Sequence, residues 1–96
     1  MATSNEQTLK EVISELLSAY KLEDKLKEVK LINSWETVLG NPVSKYTGNI
    51  YIQKQTLFVE LTSPALKQEL SYAKSKLIDL LNNEAGHVVI NEIVFL

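Results

Sequence analysis

The stretch W-E-T-V-L-G, Trp35 to Gly40, marks the point at which the chain changes from helical to strand-like patterning. Before it, apolar residues recur at steps of three and four, the spacing of one face of an amphipathic helix. These positions are Leu9, Val12, Ile13, Leu16, Leu17 and Tyr20 in a first helix and Leu22, Leu26, Val29, Ile32, Trp35 and Leu39 in a second. The sequence therefore predicts two N-terminal helices, with a break near Lys21 and a stop at Gly40 and Pro42.

Two segments that follow Gly40 alternate with period two, which is typical of a β-hairpin. They lie around Ile50–Ile52 and Leu57–Leu61, and the stretch between Gly40 and the first of them is expected to be a turn or a short helix. Register fixes which side chains share a face of a sheet. With residues 54 and 55 as the turn, the predicted cross-strand pairs are Ile52 with Leu57 and Tyr51 with Phe58.

The last third of the chain predicts a helix and a final strand. Ser63 is a good N-cap and Pro64 fits the first helical position. One long helix should then run to Asn82 or Asn83, with a buried stripe of Leu66, Leu70, Ala73, Leu77, Leu80 and Leu81. Val88 to Phe95 is a β-branched, apolar run of strand length. We therefore expect an α+β fold of order α-α-β-β-α-β with a three-stranded sheet.

Length and composition indicate one compact domain. The chain has 96 residues, 45% of them hydrophobic, which suits a single modest core over residues 1–96 with residues 1–5 flexible. No apolar run approaches the roughly 18 residues that span a bilayer, and the start lacks the pattern of a secretory signal. The expected location is the cytoplasm, with no membrane partner.

Charge is distributed unevenly, although the formal net charge is only -2. Residues 41–83 carry five lysines against three acidic residues, and every basic residue of the chain is a lysine. The candidate nucleic-acid contacts are Lys45, Lys54, Lys67, Lys74 and Lys76, for which an ordinary solvated face is the alternative. Without arginine forks, which bind phosphate and guanine in two-point fashion, we expect at most weak binding to single-stranded DNA.

Catalysis is difficult to build from these residues. Nucleophilic or acid-base chemistry needs a positioned base beside its partner, and the chain has one histidine, His87, and no cysteine. We expect no enzymatic activity, small-molecule substrate, metal or cofactor, and we expect His87 to be an ordinary surface or edge residue.

The order of these features, from W-E-T-V-L-G through the hairpin to Ser63-Pro64 and a lysine-bearing helix, resembles the DciA family of bacterial proteins. The resemblance runs from about Glu6 to the C-terminus. It implies a fold similar to a K-homology domain of the second type. Gly40, Gly48 and Gly86 do not have the G-x-x-G spacing with which K-homology domains clamp nucleotides, so the fold alone does not imply nucleic-acid binding.

The resemblance implies a non-enzymatic adaptor in bacterial DNA replication. Such a protein binds the replicative helicase, of DnaB type, and favours its loading on single-stranded DNA. Many relatives carry a basic, disordered C-terminal tail, whereas we expect none after Leu96, which places any tail-borne DNA contact in doubt. The alternative is a K-homology-like module that binds RNA or DNA outside replication.

Three aromatic residues are candidates for partner binding: Trp35, Tyr51 and Phe58. A tryptophan on the helical stripe is expected to anchor the core, with partial exposure at a docking surface as the alternative. Tyr51 and Phe58 lie on the face of the hairpin opposite Leu57 and Val59. They are either buried under the N-terminal helices or exposed as a platform for bases or a partner helix.

Overall fold

The computed structural model describes the backbone of residues 2–96 and the side chains of residues 8–96. Its elements are α1 (Ala2–Ala19), α2 (Glu23–Leu39), α3 (Asn41–Ser44), β1 (Thr47–Gln53), β2 (Thr56–Leu61), α4 (Pro64–Ser71), α5 (Lys74–Ala85) and β3 (Glu92–Phe95). The α+β class and the helix-helix-strand-strand-helix-strand order are confirmed. The predicted flexibility of residues 1–5 falls outside the residues whose side chains are described.

Both predicted interruptions of the helical region are present. Lys21 has a φ of 56°, a left-handed conformation that is uncommon for residues other than glycine, and it separates α1 from α2. At the other end of α2, Gly40 has a φ of 86° and its N–H donates to the Glu36 carbonyl at 2.8 Å. Pro42 then lies in the first turn of α3, so the chain leaves α2 through a single short helical turn.

The hairpin has the predicted register. Tyr51 pairs with Phe58 and Ile52 with Leu57 across an antiparallel ladder. The two turn residues, Lys54 and Gln55, have φ values of 49° and 62°, as a type I′ turn requires. This turn forms without the Asn or Gly that usually occupies it, so the pairing of the strands, and not turn propensity, determines the register.

The sheet has the order β1-β2-β3, with β3 parallel to the central strand β2. A parallel neighbour requires a long crossover connection, and α4 with α5 provides it. The three-stranded sheet joined by a helical crossover is confirmed, whereas the K-homology-like assignment remains a prediction.

The prediction of one unbroken helix after Ser63 was wrong. The Ser63 cap is present, since its hydroxyl accepts from the Leu66 N–H at 3.3 Å, but α4 ends at Ser71. The Ser71 hydroxyl donates to the Lys67 carbonyl at 2.7 Å, a bond back to the preceding turn that is associated with helix bending. Residues 72 and 73 then separate α4 from α5, and Leu80, which the single stripe would bury, is exposed.

The last strand is shorter than predicted because a side chain replaces a strand partner before it. Asn82 Oδ1 accepts from the N–H groups of Val89 and Ile90 at 2.9 and 3.1 Å, and its Nδ2 donates to the Ile90 carbonyl at 2.9 Å. These bonds hold Val89 and Ile90 in a loop against α5. Ile90 is buried there, whereas Val88 is 83% exposed.

One face of the sheet and the helices α2 and α5 enclose the core. Its members are fully or almost fully buried: Leu31, Trp35, Ile52, Leu57, Val59, Leu61, Leu77, Leu81, Ala85, Ile90, Ile93 and Phe95. None of the described α1 residues is among them. The Cα radius of gyration is 16.6 Å and the longest dimension is 59 Å, against a radius of about 12 Å for a compact chain of this length. The helix α1 therefore projects from the body.

Candidate functional site

A row of apolar side chains crosses the face of the sheet that points away from the core. Tyr51 and Phe58 are stacked with their ring centroids 5.0 Å apart and their planes 15° from parallel. Val94 of β3 is level with Phe58, so each strand contributes one member. We call Tyr51, Phe58 and Val94 the open-face row.

The row faces outward because its neighbours in sequence face the core. Ile52, Leu57 and Ile93 are buried against the helices, and side chains alternate between faces along a strand. Tyr51 is 40% exposed, and Phe58 and Val94 are partly buried. Of the two hypotheses for the aromatic pair, the exposed platform therefore agrees with the structure, and burial of Tyr51 under α1 and α2 does not.

Two carboxylates lie on the same face of the sheet as the open-face row. Glu60 and Glu92 follow the same alternation as Phe58 and Val94, and both are exposed. The Glu60 side chain lies over Gly48, where an added Cβ would come within 3.0 Å of Glu60 Oε1. Because Gly48 has no side chain, the Glu60 carboxylate can lie against its backbone. An apolar centre with an acidic border fits a protein surface better than a phosphate backbone, which carries like charge.

The sequence pattern identifies neither Val94 nor the two glutamates as site residues. Val88 to Phe95 is predicted as one strand without a register against β2, and the parallel pairing that places Val94 beside Phe58 depends on where that strand begins. The alternation within Leu57–Leu61 was the available signal for Glu60, since it puts residues 58 and 60 on one face.

Trp35 lies in the core and not on this surface. The residue is only 3% exposed, and its indole Nε1–H donates to Thr47 Oγ1 at 3.0 Å. The same hydroxyl donates to the Val43 carbonyl at 2.9 Å. Trp35 thus ties α2 to α3 and to the start of β1, as the core interpretation predicts.

The five candidate lysines lie in two turns and on the helices α4 and α5. Lys45 and Lys54 flank opposite ends of β1, whose seven residues span about 20 Å. Lys67 and Lys76 are exposed on different helices, and Lys74 is partly buried with its Nζ 5.9 Å from the Phe95 ring centroid, a cation–π contact. Seven residues separate Lys67 from Lys74, a spacing that would place both on one face of a continuous helix. The break after Ser71 removes that relationship.

The family comparison covers nearly the whole chain. A family model described as "Dna[CI] antecedent, DciA" matches residues 8–95. The chain belongs to the DciA family. No curated protein and no solved structure matches it. DciA proteins are helicase loaders and adaptors and not a known family of enzymes, and this membership is consistent with a role at the replicative helicase.

His87, the one histidine of this DciA chain, lies just after α5. His87 is exposed and lines a shallow recess of about 190 Å³ with Asp24, Lys27 and Glu28. Within the described part of the chain, no group of three or more His, Cys, Asp or Glu side chains is placed to hold a metal ion. Among the same residues, no helix is both long and apolar enough to cross a membrane.

Proposed function

We propose that this DciA protein is a non-enzymatic adaptor in bacterial DNA replication that binds a DnaB-type replicative helicase and favours its loading on single-stranded DNA. The observation that carries the proposal is the family match over residues 8–95, which includes every strand and the helices that pack on them. The proposed working environment is the cytoplasm.

The open-face row is the proposed contact for the helicase. Aromatic side chains are enriched at the energetic centres of protein interfaces, and Tyr51 and Phe58 form a stacked pair on the sheet face opposite the core. The carboxylates of Glu60 and Glu92 border the row, so the complementary surface on the helicase is apolar at its centre and basic at its edge. The same carboxylates weigh against base stacking as the main use of this face.

The adaptor proposal is tested with the purified protein and the replicative helicase of the same organism. Binding is measured by calorimetric titration, and loading by the rate at which the helicase begins to unwind forked DNA coated with single-strand-binding protein. We expect a defined complex and a faster start of unwinding. The proposal is rejected if the titration shows neither heat nor saturation up to tens of micromolar protein and the rate of unwinding is unchanged.

Direct binding to single-stranded DNA should be weak and strongly dependent on salt. Scattered lysines can neutralise only two or three phosphates, which gives a slope of about -1.4 to -2.1 for log affinity against log salt. Raising the salt from 50 to 200 mM should therefore weaken binding roughly tenfold, as fluorescence anisotropy with a labelled oligonucleotide would measure. Lys67→Glu and Lys54→Glu should each reduce affinity modestly. A tight complex that is insensitive to salt would contradict this electrostatic picture.

A further inference from the structure

The helix α1 presents an apolar stripe that the body of the protein leaves uncovered. Leu9 is 64% exposed and Tyr20 is 72% exposed, and the residues between them on the same stripe are mostly exposed as well. Most helical stability in proteins comes from packing of the apolar face and not from intrinsic propensity. An 18-residue helix that projects from the body therefore requires another surface to pack against its apolar face.

The stripe has the spacing of a coiled-coil seam. Steps of four, three and four residues separate its central members, which are Leu9, Ile13, Leu16 and Tyr20. These correspond to successive d, a, d and a positions of a heptad. On this assignment Val12 occupies a g position and Leu17 an e position, beside the seam.

The flanking positions match a second copy of the same helix. In a parallel, in-register pair, a g side chain meets the e side chain five positions further along the other helix. Val12 therefore meets Leu17 of the second copy, and the two-fold symmetry repeats this apolar contact on the other side. Of the charged side chains described on α1, Glu11 and Glu15 fall at f and c, away from the seam, and Lys10 falls at e. No pair of like charges is brought together.

We propose that α1 pairs with α1 of a second copy of this chain as a short, parallel, two-stranded coiled coil. The pairing ends at Lys21, where the left-handed backbone turns the chain. Continued along α2 in the same register, the d, a and d positions of the seam would be Glu23, Lys27 and Lys30, and each would meet its like-charged counterpart across the pair. The two bodies therefore diverge after Lys21.

Two heptads make a short seam, so the dimer is weak and forms with rising protein concentration. The open-face row lies on the sheet and not on α1, so both rows of the dimer remain uncovered. The dimer would thus offer two copies of that surface at the diverging ends of one coiled coil. This inference does not depend on the helicase proposal, since it follows from the exposure and spacing of α1 alone.

The absence of cysteine from the sequence gives a clean cross-linking test on the full chain. In the parallel, in-register pair, Leu16→Cys brings two thiols together at a d position, whereas Glu11→Cys at an f position points both thiols outward. Under mild oxidation we expect at least tenfold more disulfide-linked dimer for Leu16→Cys than for Glu11→Cys. Equal yields from the two variants would overturn the proposal.

The mass in solution supplies a second test that needs no new thiol. Light scattering of the wild-type chain should show a dimer fraction that rises between about 10 µM and 1 mM, and Ile13→Glu should remain monomeric throughout. The circular dichroism of the sheet and α5 should be retained, because Ile13 lies outside the core. A wild-type chain that stays monomeric at 1 mM would overturn the proposal. If Ile13→Glu then lost helicase binding instead, the stripe would belong to the helicase.

Discussion

Trp35→Ala should remove about 3–5 kcal/mol from the free energy of unfolding, the usual cost of truncating a buried tryptophan to alanine. The indole is 3% exposed and sits where α2, α3 and β1 meet. Truncation leaves a cavity there and removes the N–H group that donates to the Thr47 hydroxyl. A domain of this size has only about 5–15 kcal/mol in total, so a large share of the variant should be unfolded on mild warming.

Urea unfolding followed by circular dichroism measures this change, and two further variants separate packing from hydrogen bonding. Trp35→Phe keeps an aromatic ring in the site and should lose considerably less stability than Trp35→Ala. Thr47→Val keeps the volume near the indole but leaves the Nε1–H without its acceptor, at an expected cost of about 1–3 kcal/mol. A Trp35→Ala variant within 1 kcal/mol of wild type would show that the site collapses around the missing ring.

The double variant Tyr51→Ala/Phe58→Ala should reduce helicase affinity by roughly 30-fold or more, the effect of losing an interface hot spot of about 2 kcal/mol. The fold should survive, because Tyr51 is 40% exposed and the face lies opposite the core. Loss of the stacked contact itself accounts for about 0.5–1.5 kcal/mol of stability. Calorimetric titration against the helicase and thermal unfolding of the same samples measure the two effects separately.

Tyr72→Ala is the matched control for this experiment. Tyr72 is another surface tyrosine, 82% exposed at the break between α4 and α5, and it lies outside the open-face row. Its truncation should leave both affinity and melting temperature close to those of wild type. If the double variant binds the helicase as wild type does, the row is not the docking surface. If it instead unfolds with the loss of stability expected for a buried pair, the row is structural.

The sequence predicts the hairpin well because its signal is local. Period-two alternation and a two-residue connection are enough to pair Tyr51 with Phe58, and tertiary packing changes neither. The break after Ser71 has no such signal. Leu66, Leu70, Ala73 and Leu77 keep helical spacing across it, and neither Gly nor Pro marks the site. The Ser71 hydroxyl donates to the Lys67 carbonyl at this interruption, and the apolar periodicity gives no indication of that bond.

The candidate site was predictable in part for the same reason. Alternation identifies which face Tyr51 and Phe58 occupy, but whether that face is covered depends on where α1 and α2 lie. The apolar stripes of the two helices leave burial and exposure of that face as alternatives. In the structure Leu31 and Trp35, in the C-terminal half of α2, are buried, whereas Leu26 near its start remains exposed. The position of Val94 on this face could not be predicted, because the hydrogen bonds of Asn82 make β3 begin later than the apolar run does. Such a hydrogen-bonded loop cannot be recognised from apolar runs.

The parallel position of β3 has a consequence for when the protein can act. The hairpin forms from neighbouring residues, on a scale of about 1–10 µs for such elements, but β3 begins some thirty residues after β2 ends and must arrive by closing that long loop. Only then does Val94 complete the row across the sheet. A partner that contacts all three strands therefore binds fully folded molecules and not those still folding on or near the ribosome. Its binding in turn favours the finished state by mass action.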